Sequence, residues 1–166
     1  MTADRIRKAL GSRSRRIFRL FEVRNPYLKI SPDIWKDKIV FDIAPDVGLT
    51  PSYLLKMGAK KVVVYTERKG QIDDKRVEWN GKFYIYDILL KYSDDDINSS
   101  VLVMDCDGYE HVIKPDKLVS LFPSWVVAIH TANLEYDSWF DILNRNGDVI
   151  SNKRKVKQFT NLPLKR

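Results

Sequence analysis

Residues 60–66 (KKVVVYT) hold three consecutive valines, which a strand with one face in water would not place side by side. The run therefore predicts a strand that is buried on both faces. Four other short runs of apolar, β-branched and aromatic residues predict further strands. They lie at residues 38–43, 82–86, 100–105 and 124–130, and helical candidates lie at 50–57, 73–79, 93–98, 115–121 and 134–145.

The alternation of strands and helices predicts an α/β fold. Strands of this kind form a parallel sheet with helices on both faces. Two more strands, at residues 147–151 and 155–159, are joined by a polar turn at residues 152–153 and predict a closing antiparallel hairpin. We therefore expect a Rossmann-like, mostly parallel, seven-stranded sheet that ends in this hairpin.

The 166 residues are enough for one ordinary domain, which we place at residues 26–166. Residues 1–25 predict a basic amphipathic helix, interrupted near Gly11. Its apolar side could dock on the domain, on a nucleic acid or on an anionic membrane surface.

Cys106 is the single cysteine of the chain. It excludes an internal disulfide, so we expect a reducing, cytoplasmic compartment and no disulfide-linked partner. No apolar run approaches the roughly 20 residues that a membrane-spanning helix needs. The oligomeric state does not follow from these features.

The charge of the chain is concentrated at its two ends. The net charge is +7; residues 1–25 and 151–166 each carry +6, whereas the part between them carries −5. Basic ends on an acidic body suit a polyanionic partner, because Lys and Arg neutralise phosphates. We therefore consider a nucleic acid as partner, with a solvated surface as the simpler alternative.

Ionisable residues close all five strands of the predicted parallel sheet. Ligands of such sheets bind at the carboxyl ends of the strands, beside the switch in strand order. A carboxylate after the second strand can accept hydrogen bonds from both hydroxyls of a ribose, and one after the third could accept from an adenine amino group. The five residues are Asp42, Glu67, Asp87, Asp105 and His130.

Two of these strand ends carry motifs that resemble a known family. Residues 40–50 (VFDIAPDVGLT) resemble the Asp-x-Gly-x-Asn-x-Gly-x-Thr opening of FkbM-type methyltransferases. Residues 103–110 (VMDCDGYE) resemble the later Asp-x-Glu-Gly-x-Glu segment, and residues 139–149 (WFDILNRNGDV) the closing helix and glycine turn. The element order is similar to that of a minimal class I S-adenosylmethionine-dependent methyltransferase, and the resemblance covers about residues 38–160.

The resemblance implies methyl transfer from S-adenosylmethionine to an acceptor that the sequence does not identify. RNA or another nucleic acid is slightly favoured by the basic ends. The base for the acceptor proton would be Asp105 or His130, with Asp105 preferred. The cofactor would be bound by Asp42, Ala44, Asp46 and Gly48 in the first turn, Glu67 at the ribose and Asp87 at the adenine.

Two alternatives remain at this point. The family's first glycine is Ala44 here and is followed by Pro45, so the chain could be a non-catalytic nucleic-acid-binding module on a methyltransferase scaffold. The pair Asp105-x-Asp107 also resembles the acids with which glycosyltransferases bind a metal and a nucleotide sugar. Paired acids at this spacing are common by chance, so we assign no metal ligand.

Overall fold

The computed structural model describes residues 29–43, 49–67, 72–105, 115–130, 137–153 and 156–164. These residues form one seven-stranded sheet with helices packed on it. Its strands are β1 (Ile39–Ile43), β2 (Lys61–Tyr65), β3 (Val77–Asn80), β4 (Val101–Met104), β5 (Trp125–His130), β6 (Asp148–Lys153) and β7 (Val156–Thr160). The helices are α1 (Leu49–Lys56), α2 (Ile85–Lys91), α3 (Asp94–Asn98), α4 (Pro115–Leu121) and α5 (Asp137–Asn146), preceded by a 3-10 turn at Pro32–Ile34.

The strand order is β3-β2-β1-β4-β5-β7-β6. Strands β1 to β5 pair in parallel, whereas β7 runs antiparallel to both of its neighbours, β5 and β6. The predicted mostly parallel sheet with a closing antiparallel hairpin is therefore confirmed.

The sheet is buried on both faces, as the valine run predicted. Along β1, Phe41 and Ile43 enter one hydrophobic core, while Val40 enters the other. The same alternation holds in β2, where Val63 faces the first core and both Val62 and Val64 face the second. Each face therefore needs its own covering layer, because strands of this composition cannot leave either side in water.

Helices supply that cover on both sides. The first core takes Ile88 from α2, Ile97 from α3 and Leu143 from α5. The second core takes Leu54 from α1, together with Trp35 from the segment before β1. We refer below to the two faces as the α2 face and the α1 face.

The two ends of the described chain lie side by side. Ile30 forms an isolated antiparallel bridge with Leu164, and the Ser31 N–H donates a hydrogen bond to the Pro163 carbonyl, 3.2 Å away. The Lys29 ammonium donates to the Ile150 carbonyl of β6 at 2.5 Å. The segment that leads into β1 is thereby held against the closing hairpin.

The prediction of the third strand was wrong. Residues 82–86 were expected to be this strand and residues 73–79 a helix, whereas β3 is Val77–Asn80 and α2 begins at Ile85. In β3 the buried Val77 alternates with Glu78, which is typical of a half-buried strand at the border of a sheet. Residues after Phe83 form a helix because Ile88, three positions after Ile85, packs into the α2-face core.

The predicted hairpin turn was also misplaced. Asn152 and Lys153 belong to β6, where they pair with Lys157 and Val156. A register shift between Val149 and Ser151 moves the pairing by one position, so β6 runs two residues further than expected. The turn therefore follows Lys153.

The other predicted elements occur within a few residues of their expected bounds. Ser93 caps α3, since its hydroxyl accepts from the Asp96 N–H at 3.2 Å while the Asp96 carboxylate accepts in return. The N-terminal helix predicted over residues 1–25 lies outside the described residues. Within those residues, no helix combines the length and apolar character needed to cross a membrane.

Gly147, between α5 and β6, allows a close approach of three strands. A Cβ at this position would clash with the Thr160 carbonyl oxygen of β7 and would lie 2.8 Å from Cη2 of Trp125 in β5. Trp125 is buried and Thr160 donates its hydroxyl to the Trp125 carbonyl at 2.9 Å, so neither can move aside easily.

We expect Gly147→Ala to lower the free energy of unfolding by about 1–3 kcal/mol, because the added methyl group overpacks this junction. Gly81→Ala is the matched control, since a Cβ at Gly81 would meet no described atom within 4 Å. Urea unfolding followed by circular dichroism measures both. Equal midpoints for the two variants would contradict the overpacking.

Glu78 links β3 to its neighbours through a cluster of charges. Its carboxylate pairs with Lys61 of β2 at 2.5 Å and with Lys91 of α2, and it accepts from the Tyr92 hydroxyl at 3.3 Å. Burial raises the pKa of Glu78, but the hydrogen bonds from the two lysines outweigh it and hold the pKa at about 2. Burial, followed by the charge of Glu78, raises the pKa of Tyr92 to about 12.

The lowered pKa of Glu78 makes its contribution to stability pH-dependent. The stabilisation is complete above the ordinary pKa of 4.5 and is lost as the pH falls towards 2. We expect Glu78→Gln to cost about 1 kcal/mol at pH 7, as for a partly exposed ion pair. The difference in free energy of unfolding between this variant and the wild type, measured by urea unfolding, should narrow as the pH falls from 4.5 to 2.

Asp148→Asn serves as the control for this experiment, because it removes an exposed carboxylate at the start of β6, at the opposite border of the sheet. A Glu78→Gln effect that stays constant across the same pH range would refute the role of the ion pairs.

Candidate functional site

The carboxyl end of the sheet is the end at which β1, β2, β4 and β5 finish. The chain winds outward from β1 in one direction to β2 and β3, and in the other to β4 and β5. The switch in strand order therefore lies between β1 and β4, and a crevice opens outside the strands at such a point. Two of the predicted site residues, Asp42 and Asp105, flank this switch.

Asp42 is the penultimate residue of β1 and is only 1% exposed. In register it lies between Val64 of β2 and Val103 of β4. Because Phe41 and Ile43 face the α2-face core, the alternation of the strand directs Asp42 to the α1 face. A carboxylate at this depth is retained at a large desolvation cost, which is typical of a binding position.

Asp105 and His130 are brought together, although 25 residues separate them in the chain. Asp105 follows β4, and its N–H donates to the Ile43 carbonyl at 3.2 Å, so it continues the pairing with β1. His130 is the last residue of β5. Its Nε2 lies 3.6 Å from Oδ1 of Asp105, and the side chains are 19% and 40% exposed, respectively.

This pair has the composition of an acid–base couple. A carboxylate beside an imidazole can orient the ring, and both groups can accept a proton from a substrate. Both residues were predicted as catalytic candidates from their positions at strand ends, and the structure places them next to each other at the carboxyl end of the sheet.

Glu67 also lies at this end, exposed, two residues beyond β2. The Thr66 N–H donates to the Asn80 carbonyl at 3.3 Å, so the chain stays beside β3 as it reaches Glu67. Since β2 neighbours β1, Glu67 approaches the crevice from the side opposite His130.

The prediction that Asp87 closes the third strand was wrong. Asp87 is exposed in the first turn of α2. Burial raises the pKa of Tyr65, the last residue of β2, and the charge of Asp87 contributes to the shift. Asp87 therefore lies near the end of β2, but it is carried there by a helix that packs over the α2 face.

The residue that does end β3 is Asn80, which the sequence analysis missed. Its side-chain amide donates to Oε1 of Glu78 at 3.3 Å, so it is oriented by the charge cluster described above. The alternation of Val77 and Trp79 with polar residues was the signal that could have identified this strand. Asn80 takes the place at the third strand end that the sequence analysis assigned to Asp87.

Three predicted cofactor residues, Ala44, Asp46 and Gly48, lie outside the described residues, as does Asp107 of the metal-binding alternative. Among the residues that are described, no three His, Cys, Asp or Glu side chains are grouped so that they could hold a metal ion. The cofactor turn and the metal alternative therefore both stay predictions.

No family model matches the chain. No curated protein matches it either. The similarity that exists is to solved structures and lies in the fold.

A Lactococcus lactis protein classed as a hemolysin superimposes with a TM-score of 0.52 at 13% identity, over 87% of this chain and 86% of that one. A Streptococcus mutans protein classed as a SAM-dependent methyltransferase gives a TM-score of 0.51 at 12% identity, over 84% and 47%. A Streptococcus pneumoniae protein classed as a tRNA (m1A22) methyltransferase, in complex with S-adenosyl-L-methionine, gives a TM-score of 0.50 at 13% identity. The match covers 76% of this chain and 66% of that one.

This chain spans less than half of the Streptococcus mutans protein and about two thirds of the Streptococcus pneumoniae one. At such low identity the similarity is one of fold. Together with the strand order and the antiparallel β7, it defines the fold as the Rossmann-like fold of class I methyltransferases.

Proposed function

We propose that the chain binds S-adenosylmethionine at the carboxyl end of its sheet and transfers the methyl group to an acceptor. The observation that carries the proposal is the arrangement around the switch point. A buried carboxylate, Asp42, is the penultimate residue of β1 on one side of it, and the Asp105–His130 pair lies on the other. Open α/β sheets bind their ligands at this position.

The residues present fit the groups of this cofactor. The buried Asp42 carboxylate is suited to an ammonium group, because a carboxylate and a cation form a charge-assisted hydrogen bond. The exposed Glu67 can accept hydrogen bonds from two vicinal ribose hydroxyls. Asn80 at the end of β3, or Asp87 on α2, would hydrogen-bond the adenine.

The bound cofactor would supply an electrophilic methyl group on a sulfonium. The residues of this chain align the acceptor and receive its proton, and both functions fall to the Asp105–His130 pair. Asp105 is the more exposed of the two and is the preferred base, while His130 stays within 3.6 Å to take up or share the proton.

Within this fold, the motifs at residues 40–50 and 103–110 support a relationship to the FkbM-type methyltransferases. Ala44, Asp46 and Gly48 would then form the turn that follows Asp42. In such a turn, alanine and proline at positions 44 and 45 would be stiffer than the family's glycine.

We expect calorimetric titration to show binding of S-adenosylmethionine and S-adenosylhomocysteine. Glu67→Ala should weaken both about 10- to 100-fold, since hydrogen bonds to a charged group contribute about 1.5–3 kcal/mol. The variant should unfold at the wild-type urea concentration, because Glu67 is exposed.

Asp33→Ala is the matched control: it removes an exposed carboxylate in the 3-10 turn, near the amino end of β1. Unchanged affinity in Glu67→Ala would overturn the ribose assignment. Absence of binding to the wild type would favour the alternative function, a non-catalytic nucleic-acid-binding module on this scaffold.

We further expect Asp105→Asn and His130→Ala to separate binding from turnover. Neither residue is assigned to the cofactor, so the affinity for S-adenosylhomocysteine should stay within about threefold of wild type. Transfer of a radiolabelled methyl group to total RNA should fall about 10²- to 10⁴-fold, the usual contribution of general base catalysis. Equal loss of affinity and turnover would refute the assignment of the pair as a base.

A further inference from the structure

The closing hairpin has its turn at the carboxyl end of the sheet, beside the Asp105–His130 pair. Because β7 runs antiparallel to β5, its first residue, Val156, pairs with His130, the last residue of β5. Val156 also pairs with Lys153, the last residue of β6. The end of β6 and the start of β7 therefore lie at the same end of the sheet as the candidate site.

This end of the hairpin is strongly basic. Lys153 closes β6, and Lys157 pairs with both Asn152 and Ile129, the neighbour of His130. In the sequence, Arg154 and Lys155 stand between them, and residues 151–166 contain no acid. We call Lys153 and Lys157, the two positions whose backbone is described, the basic hairpin end.

Among the described residues, the charges along the carboxyl end of the sheet are divided into two halves. The acidic Asp42 lies in β1, and Glu67 and Asp105 lie just beyond β2 and β4, whereas the basic hairpin end belongs to β6 and β7. His130 on β5 lies at the boundary. A polyanion would be repelled from the first half and attracted to the second, so its approach to the pair has a defined side.

The distances match a nucleic acid strand. Neighbouring strands lie about 4.8 Å apart, so β7 is one spacing and β6 two spacings, about 10 Å, from His130. A nucleic acid strand stacked as in a B-form duplex advances about 3.4 Å per nucleotide along its axis. Phosphates bound at the hairpin would thus place a nucleotide about three positions away at the Asp105–His130 pair.

We propose that the basic hairpin end binds the phosphate backbone of a nucleic acid acceptor and leads one of its nucleotides to the Asp105–His130 pair. The inference rests on the proposed methyl transfer, because it assigns the acceptor of that same site. It identifies the acceptor class by its phosphates and locates the entry side on the sheet.

The test measures the salt dependence of binding to a fluorescein-labelled, single-stranded RNA of about 20 nucleotides, by anisotropy between about 50 and 200 mM salt. Lys153→Thr combined with Lys157→Thr should reduce the slope of log K against log salt by about 1.4, since each phosphate contact to a single strand contributes about 0.7. Threonine keeps the β propensity of the hairpin.

The matched control is Lys36→Thr combined with Lys60→Thr. It makes the same change of net charge with two exposed lysines at the amino end of the sheet. Its slope should equal that of the wild type. An equal reduction in both double variants, or an unchanged slope in the hairpin variant, would overturn the proposal.

Lys153→Arg combined with Lys157→Arg should retain the wild-type slope, so the test does not depend on how well the threonine variant folds. A DNA strand of the same sequence distinguishes the two kinds of nucleic acid: a slope change with only one of them identifies the acceptor class.

Calorimetry with S-adenosylhomocysteine separates the failure of this inference from that of the proposed function. If the chain binds the cofactor but the salt slope of the hairpin variant equals that of the wild type, only the role of the hairpin in RNA binding is refuted. A reduced slope in a chain that binds no cofactor supports phosphate binding at the hairpin and refutes methyl transfer.

Discussion

Burial of the valine-rich strands on both faces is the constraint on which the rest of this structure depends. Val62, Val63 and Val64 are fully buried, and they alternate between two separate cores. Neither core can form without its own helices, so the chain must pass from one face to the other between strands. Parallel pairing follows, because such crossovers return each strand in the same direction.

That direction also determines where chemistry can occur. With β1 to β5 parallel, their final residues meet at one end of the sheet, and the reversal of order between β1 and β4 opens a crevice there. Asp105 and His130 meet at 3.6 Å for this reason, although no local feature of the sequence relates them. Because β7 is antiparallel to β5, the end of the hairpin at which β6 connects to β7 lies at this same carboxyl end of the sheet.

The sequence predicted those parts of the fold in which local pattern and burial agree. β1, β2, β4 and β5 are short apolar runs buried on both sides, and each was found within one or two residues of its bounds. The prediction of β3 failed because β3 is a border strand, in which Val77 and Trp79 alternate with polar residues over only four positions. The Asp105–His130 contact depends on the register between the neighbouring strands β4 and β5, which composition does not determine. Only the position of both residues at strand ends was predictable.

The bridge between Ile30 and Leu164 closes the described chain almost into a ring. The strand pairings do not depend on where such a ring is opened. A short covalent link between these ends, with new ends at the exposed bend around Gly81, would preserve every strand pairing and break only the connection from β3 to α2. We therefore expect the neighbours of each strand, rather than the order in which the chain visits them, to define this fold.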